Sequence, residues 1–104
     1  MSAPDRVEML AADGAPLGWT YDRTQYDLVA QQVLVAVDAL ADDDGTALLK
    51  DVVAFVQAQL GAHPAFPSGR LTNATRYVAA DLQGRGTLHR VGTSSPQRLR
   101  TATR

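Results

Sequence analysis

Apolar positions divide this chain into stretches of different period. From Thr24 to Leu40, Val29, Val33, Val37 and Leu40 recur at spacings of four, four and three, with Tyr26 nearby, which predicts an amphipathic helix over 24–40. Thr24 is placed to cap it, with Asp27 in the first turn. Asp42-Asp43-Asp44-Gly45 breaks this pattern, and Thr46 is placed to cap a second helix over 46–60. Its broad stripe comprises Leu48, Leu49, Val52, Phe55, Val56 and Leu60, and Gly61 follows as a left-handed C-cap. Pro64 and Pro67 forbid a continuous helix through the next segment, from which Phe66 is expected to plug into the core. Ser68 is placed to cap a third helix over 69–83, with Leu71, Ala74, Val78 and Leu82 on one face. Thr72, Asn73, Arg76, Ala80 and Gln83 lie on the other side, and Gly84 and Gly86 end the helix.

The remaining stretches read as strands. Residues 87–91 alternate polar and apolar, Gly92 to Pro96 is a turn of small residues, and residues 97–100 form a returning strand around Leu99. At the other end, Val7 to Leu10 and Leu17 to Tyr21 flank Asp13-Gly14 and predict a hairpin or two short edge strands. The expected fold is α+β and mainly helical: a winged-helix-like three-helix core, a C-terminal β-wing over 86–100 and a short N-terminal strand or hairpin. The second and third helices would form the helix-turn-helix pair, although their connection exceeds the usual turn of about three or four residues.

The same stretches carry a resemblance. Phe66-Pro67-Ser68-Gly69, then Val78-Ala79-Ala80-Asp81-Leu82-Gln83-Gly84-Arg85-Gly86-Thr87-Leu88, then Ser95-Pro96-Gln97-Arg98-Leu99-Arg100, together with Tyr26, resemble small uncharacterised bacterial proteins of winged-helix-like fold, a domain of unknown function. The resemblance implies the fold and no catalytic or binding residue.

Composition narrows the classes. A length of 104 residues fits one domain, 1–104, and 45% apolar residues suffice for one core. The absence of cysteine excludes a disulfide framework and a zinc–thiolate site and suits a reducing cytoplasm. Met1 to Asp5 lacks the basic and apolar regions of a secretory signal, and no apolar run reaches the roughly 20 residues of a membrane span, so a cytoplasmic chain with no membrane partner is expected. Residues 1–60 hold ten acidic and three basic side chains, whereas residues 61–104 hold seven arginines and one acid, Asp81. Either the arginines form a surface for an anionic partner, or the two halves neutralise each other across the fold.

Candidate chemistry is sparse. His63 and His89 have no companion ligands at metal spacing, so no metal is expected, and no Walker A or Gly-rich dinucleotide motif indicates a cofactor. Ser94 and Ser95 lie near His89, but without a nucleophile elbow they fit a turn, and Asn73-Ala74-Thr75 matches a glycosylation sequon by chance. No catalytic residue is expected; an enzyme would need a deep pocket lined by His63, Asp81 or Tyr77.

The basic set supplies the candidate site: Arg70, Thr72, Asn73 and Arg76 on or near the third helix, Arg85 at its end, Arg90 on the first wing strand, and Arg98 and Arg100 on the return. Arginine can pair with guanine, asparagine with adenine, and wing arginines can hold phosphates, which points to double-stranded DNA. Against this stand a sequence pI near 6.0 and the option that Arg85 pairs with Asp81 four residues earlier. The alternative is a non-catalytic protein-interaction or homodimerisation module, in which the segment around Trp19 adds to a partner or covers the wing edge.

Overall fold

The computed structural model describes residues 5–92 and 95–102. It is an α+β domain of three helices and two small antiparallel sheets, in the order β1 (Arg6–Leu10), β2 (Pro16–Asp22), α1 (Arg23–Leu40), β3 (Ala47–Leu48), α2 (Leu49–Leu60), α3 (Thr72–Gly84), β4 (Leu88–Val91) and β5 (Arg98–Thr101). β1 and β2 form one sheet, and β3, β5 and β4 form the other in that spatial order. The readings that involve Ser94 and the chain ends, residues 1–4, Thr103 and Arg104, lie outside the described residues.

The three helices enclose the core. α1 buries Tyr26, Val29, Ala30, Val33, Ala36 and Val37, α2 buries Leu49, Val52, Val53, Val56 and Leu60, and α3 adds Val78, Ala79 and Leu82. Each buried aliphatic side chain of Val or Leu size contributes about 1.5–3 kcal/mol relative to exposure, so these stripes set how the helices pack. Phe66 enters the core as expected, and Val7 and Met9 enter it from β1. Leu40, expected on the inner stripe, is exposed, because the helix outlasts the core at its C-terminal end.

The helix ends differ from expectation wherever a side chain found a better partner. Asp22, not Thr24, caps α1: its carboxylate accepts from Gln25 N at 2.9 Å. Thr46 does not cap α2. It is buried beside the Asp42 carboxylate, which accepts from the backbone N–H groups of Asp44 (2.9 Å) and Thr46 (3.1 Å), and the following two residues pair with β5 before α2 begins at Leu49. Asp42 therefore closes the 42–46 turn, a local side-chain-to-backbone turn, and does not act as a charge at the next helix. Gly61 is right-handed, φ −59°, and a Cβ there would stand 2.6 Å from the Gln57 amide. That amide donates to Gly69 O at 2.6 Å and accepts from Leu71 N at 3.0 Å, so Gln57 ties the 61–71 connection to α2. α3 consequently starts at Thr72. Ser68 Oγ accepts from Arg70 N at 3.2 Å, upstream of the helix, and Arg70 lies outside it.

The far end of α3 has two glycines with separate roles. Gly86, at φ 80°, terminates the helix in a Schellman arrangement, with Thr87 N donating to Leu82 O at 2.9 Å and Gly86 N to Gln83 O at 3.0 Å. Gly84 admits the β1–β2 connection: a Cβ there would stand 2.3 Å from Ala11 O. The N-terminal hairpin thus packs on α3 and makes its own sheet, and does not cover the edge of the β3–β5–β4 sheet.

Candidate functional site

Two structures flank the exposed side of α3. Thr72, Asn73, Arg76 and Tyr77 are its exposed side chains over the first two turns, because Leu71, Thr75, Val78, Ala79 and Leu82 are drawn into the core. On one flank lies the β4–β5 ribbon, joined to α3 by Gln83 Nε2 donating to Gln97 Oε1 at 3.2 Å. On the other lies the N-terminal hairpin, whose Trp19 meets Tyr77 edge to face at a centroid distance of 5.2 Å.

The pairing register sorts the ribbon's cations by face. Cross-strand partners point to the same side of a sheet, and successive residues to opposite sides. Arg90 pairs with Leu99 and Leu99 with Ala47, so Arg90 shares the face of these two buried residues. His89 pairs with Arg100, and Val91 with Arg98, on the opposite face. The arginines expected to act together thus point in two directions.

On the α3 side, a groove of about 270 Å³ is lined by Leu49, Lys50, Arg76, Arg90, Ser95, Pro96 and Gln97. Three cationic side chains contribute, from α2, α3 and β4, and no carboxylate does. Leu49 N is bound to Gln97 O at 2.9 Å, which fixes the start of α2 against the ribbon. Neither Lys50 nor Arg76 belongs to an ion pair among the described residues.

On the opposite face the environment is acidic. Arg98 pairs with Asp42 at 3.1 Å, and the hydrogen bond from the Thr46 amide holds the Asp42 carboxyl below its usual range, with Arg98 adding to the effect. Arg100 lines a second groove, of about 430 Å³, together with Asp38, Ala41, Asp44, Gly45 and Thr101. Here the early carboxylates and late arginines do meet across the fold.

Arg85 is committed elsewhere. Asp81 is fully buried and its carboxylate ties α3 to β1 and α1: it accepts from Leu10 N of β1 at 2.9 Å, from the Tyr26 hydroxyl of α1, and from Arg85 Nε, at the end of α3, at 2.7 Å. Arg85 also donates to Glu8 O at 2.7 Å. Burial, then the hydrogen bond to Asp81, pushes the Tyr26 hydroxyl well above its usual range, and the hydrogen bond to Asp81 raises the Arg85 guanidinium. This is a structural cluster, in which a buried carboxylate is held by donors on every side.

Of the predicted residues, the structure therefore gathers Arg76 and Arg90 in one groove, with Thr72 and Asn73 on the exposed start of the same helix. Arg70 stands exposed ahead of it, Arg85 is bound to Asp81, and Arg98 and Arg100 face the acidic side. Sequence reasoning missed Lys50, the chain's single lysine, because it lies in the acidic half. The exposed aromatic pair of Trp19 and Tyr77 was missed as well, since no local pattern links residues so far apart.

His63 and His89 are not brought together: His63 Nδ1 accepts from Ala65 N at 3.0 Å, and His89 is exposed opposite Arg100. Neither groove described above is lined by His63, Asp81 or Tyr77. Among the described residues no group of three His, Asp or Glu side chains is arranged for a metal ion, and no helix is long and apolar enough to cross a membrane. No family model, curated protein or solved structure matches the chain.

Proposed function

We propose that this chain is a winged-helix-like domain that binds double-stranded DNA, with α3 in a groove of the duplex and the β4–β5 ribbon, as the wing, on its backbone. The order α1, β3, α2, α3, β4, β5 with a β3–β5–β4 sheet supports the architecture, and the motifs noted for 66–69, 78–88 and 95–100 fall on the same elements. The observation that carries the reading is the convergence of Lys50, Arg76 and Arg90 on one groove without a carboxylate in its lining. A dense set of cations beside an exposed helix is what a polyanion recognises, whatever the net charge of the whole chain.

Titration of generic duplex DNA at about 50 mM salt tests this, because backbone contacts are strongest at low salt. Binding is expected, and Arg76→Ala should weaken it while leaving the thermal midpoint almost unchanged, since Arg76 is exposed. No binding under these conditions refutes the reading.

One observation favours the second reading, a protein-interaction or self-association module. Trp19, Tyr77 and Leu17 are exposed at 37%, 50% and 42%, near the free edge of β2. Light scattering at high concentration tests the self-association version, which a strict monomer removes.

A further inference from the structure

We infer that the groove between α2, α3 and β4 is a seat for a backbone phosphate, so that Arg76 acts on the DNA backbone and the reading of bases falls to Thr72 and Asn73. This rests on the duplex-binding reading above and divides its residues by role.

Placement carries the inference. Lys50, Arg76 and Arg90 come from three different elements and meet around one concavity, whose remaining lining is Leu49, Ser95, Pro96 and Gln97. A base edge presents paired donors and acceptors in a plane and is read by a side chain projecting from the crest of a helix. A phosphodiester is a compact anion that several cations can approach from different directions. Arg76 lines the same groove as Arg90 and so belongs to this converging set. Thr72 and Asn73 open the same helix, are exposed, and do not line the groove. Arg98 and Arg100, on the reverse face of the ribbon among Asp38, Asp42 and Asp44, are outside the seat.

The two roles predict different signatures. Each phosphate contact contributes about 0.9 to the slope of log K against log salt, and it weakens all sequences alike when lost. A base contact changes sequence preference and leaves the slope nearly intact.

The experiment measures binding of the full chain to a randomised duplex pool from about 50 to about 200 mM salt. Lys50→Gln and Arg76→Gln, which share the one phosphate, are each expected to reduce the slope, by up to about 0.9 when combined, and to weaken every sequence by a similar factor. Asn73→Ala should flatten the sequence preference at an unchanged slope, and Arg98→Gln should change neither. All four positions are exposed, and a thermal melt confirms that each variant is folded. Duplex binding that keeps its full slope in Lys50→Gln and Arg76→Gln overturns the seat and leaves the duplex reading standing. So does an Arg76→Gln variant that changes sequence preference at an unchanged slope. No duplex binding by the parent chain overturns both.

Discussion

The two flanks of α3 are built on opposite principles. The N-terminal hairpin is fastened to the helix by buried groups: Met9 and Val7 in the core, Ala11 O against Gly84, and Leu10 N, Tyr26 and Arg85 on the Asp81 carboxylate. The ribbon flank is fastened by Leu88 and Leu99 and by backbone pairing, while its α3-facing margin stays polar, cationic and open. The Asp81 carboxylate on the first flank is spent on neighbouring donors, whereas Lys50 and Arg76 on the second line an open groove. A charge's sequence neighbourhood therefore says little about its use: Arg85 and Arg90 are five residues apart, and only Arg90 lines the open groove.

The strongest way to break this contrast is Asp81→Ala. It removes the shared acceptor of a β1 amide, a tyrosine hydroxyl and a guanidinium, and should cost about 3 kcal/mol or more, read as a lower urea midpoint. If the flanks are separate in function, any variant that remains folded keeps the parent salt slope for duplex DNA.

Alkaline titration probes the same cluster more gently. Tyr26 titrates higher in the fold than its ordinary value of 10.0, because burial and the Asp81 carboxylate favour the neutral hydroxyl. The resulting stability is fully present below pH 10.0 and is lost as pH rises above it, where the unfolded chain ionises first. Tyr21 shifts in the same direction, by burial and then by the charge of Asp22. Urea midpoints should fall between about pH 10 and 11, with Tyr26 contributing up to about 1.4 kcal/mol per pH unit and Tyr21 adding in the same direction. Tyr26→Phe should remove its part of that slope, and an unchanged slope would refute the assignment.

The smallest expected effect is that of Trp19→Ala. Losing the edge-to-face contact with Tyr77 should lower stability by about 1 kcal/mol. The salt slope should be unaffected, since the aromatic pair lies on the flank without the cationic groove. A slope that drops with Trp19→Ala would mean that both flanks touch the backbone.

The chain's own pattern determined a great deal. Spacing of Val29, Val33 and Val37, of Val52, Val56 and Leu60, and of Leu71, Val78 and Leu82 fixed three helices and their inner faces, because burial period is a local property of sequence. Gly86 as a helix stop and Phe66 as a core residue were legible for the same reason. The caps were not, since Asp22 outcompetes Thr24 and Gln57 outcompetes Ser68 only once the segments are folded. The site was half legible. That arginines cluster after residue 69 is a matter of counting, but which of them converge was decided by sheet register, which turns Arg90 toward α3 and Arg98 and Arg100 toward the aspartates. Lys50 joins Arg76 and Arg90 only because β3 and β5 pair and bring the start of α2 to the ribbon. Contacts of that range depend on tertiary packing, which no local pattern encodes.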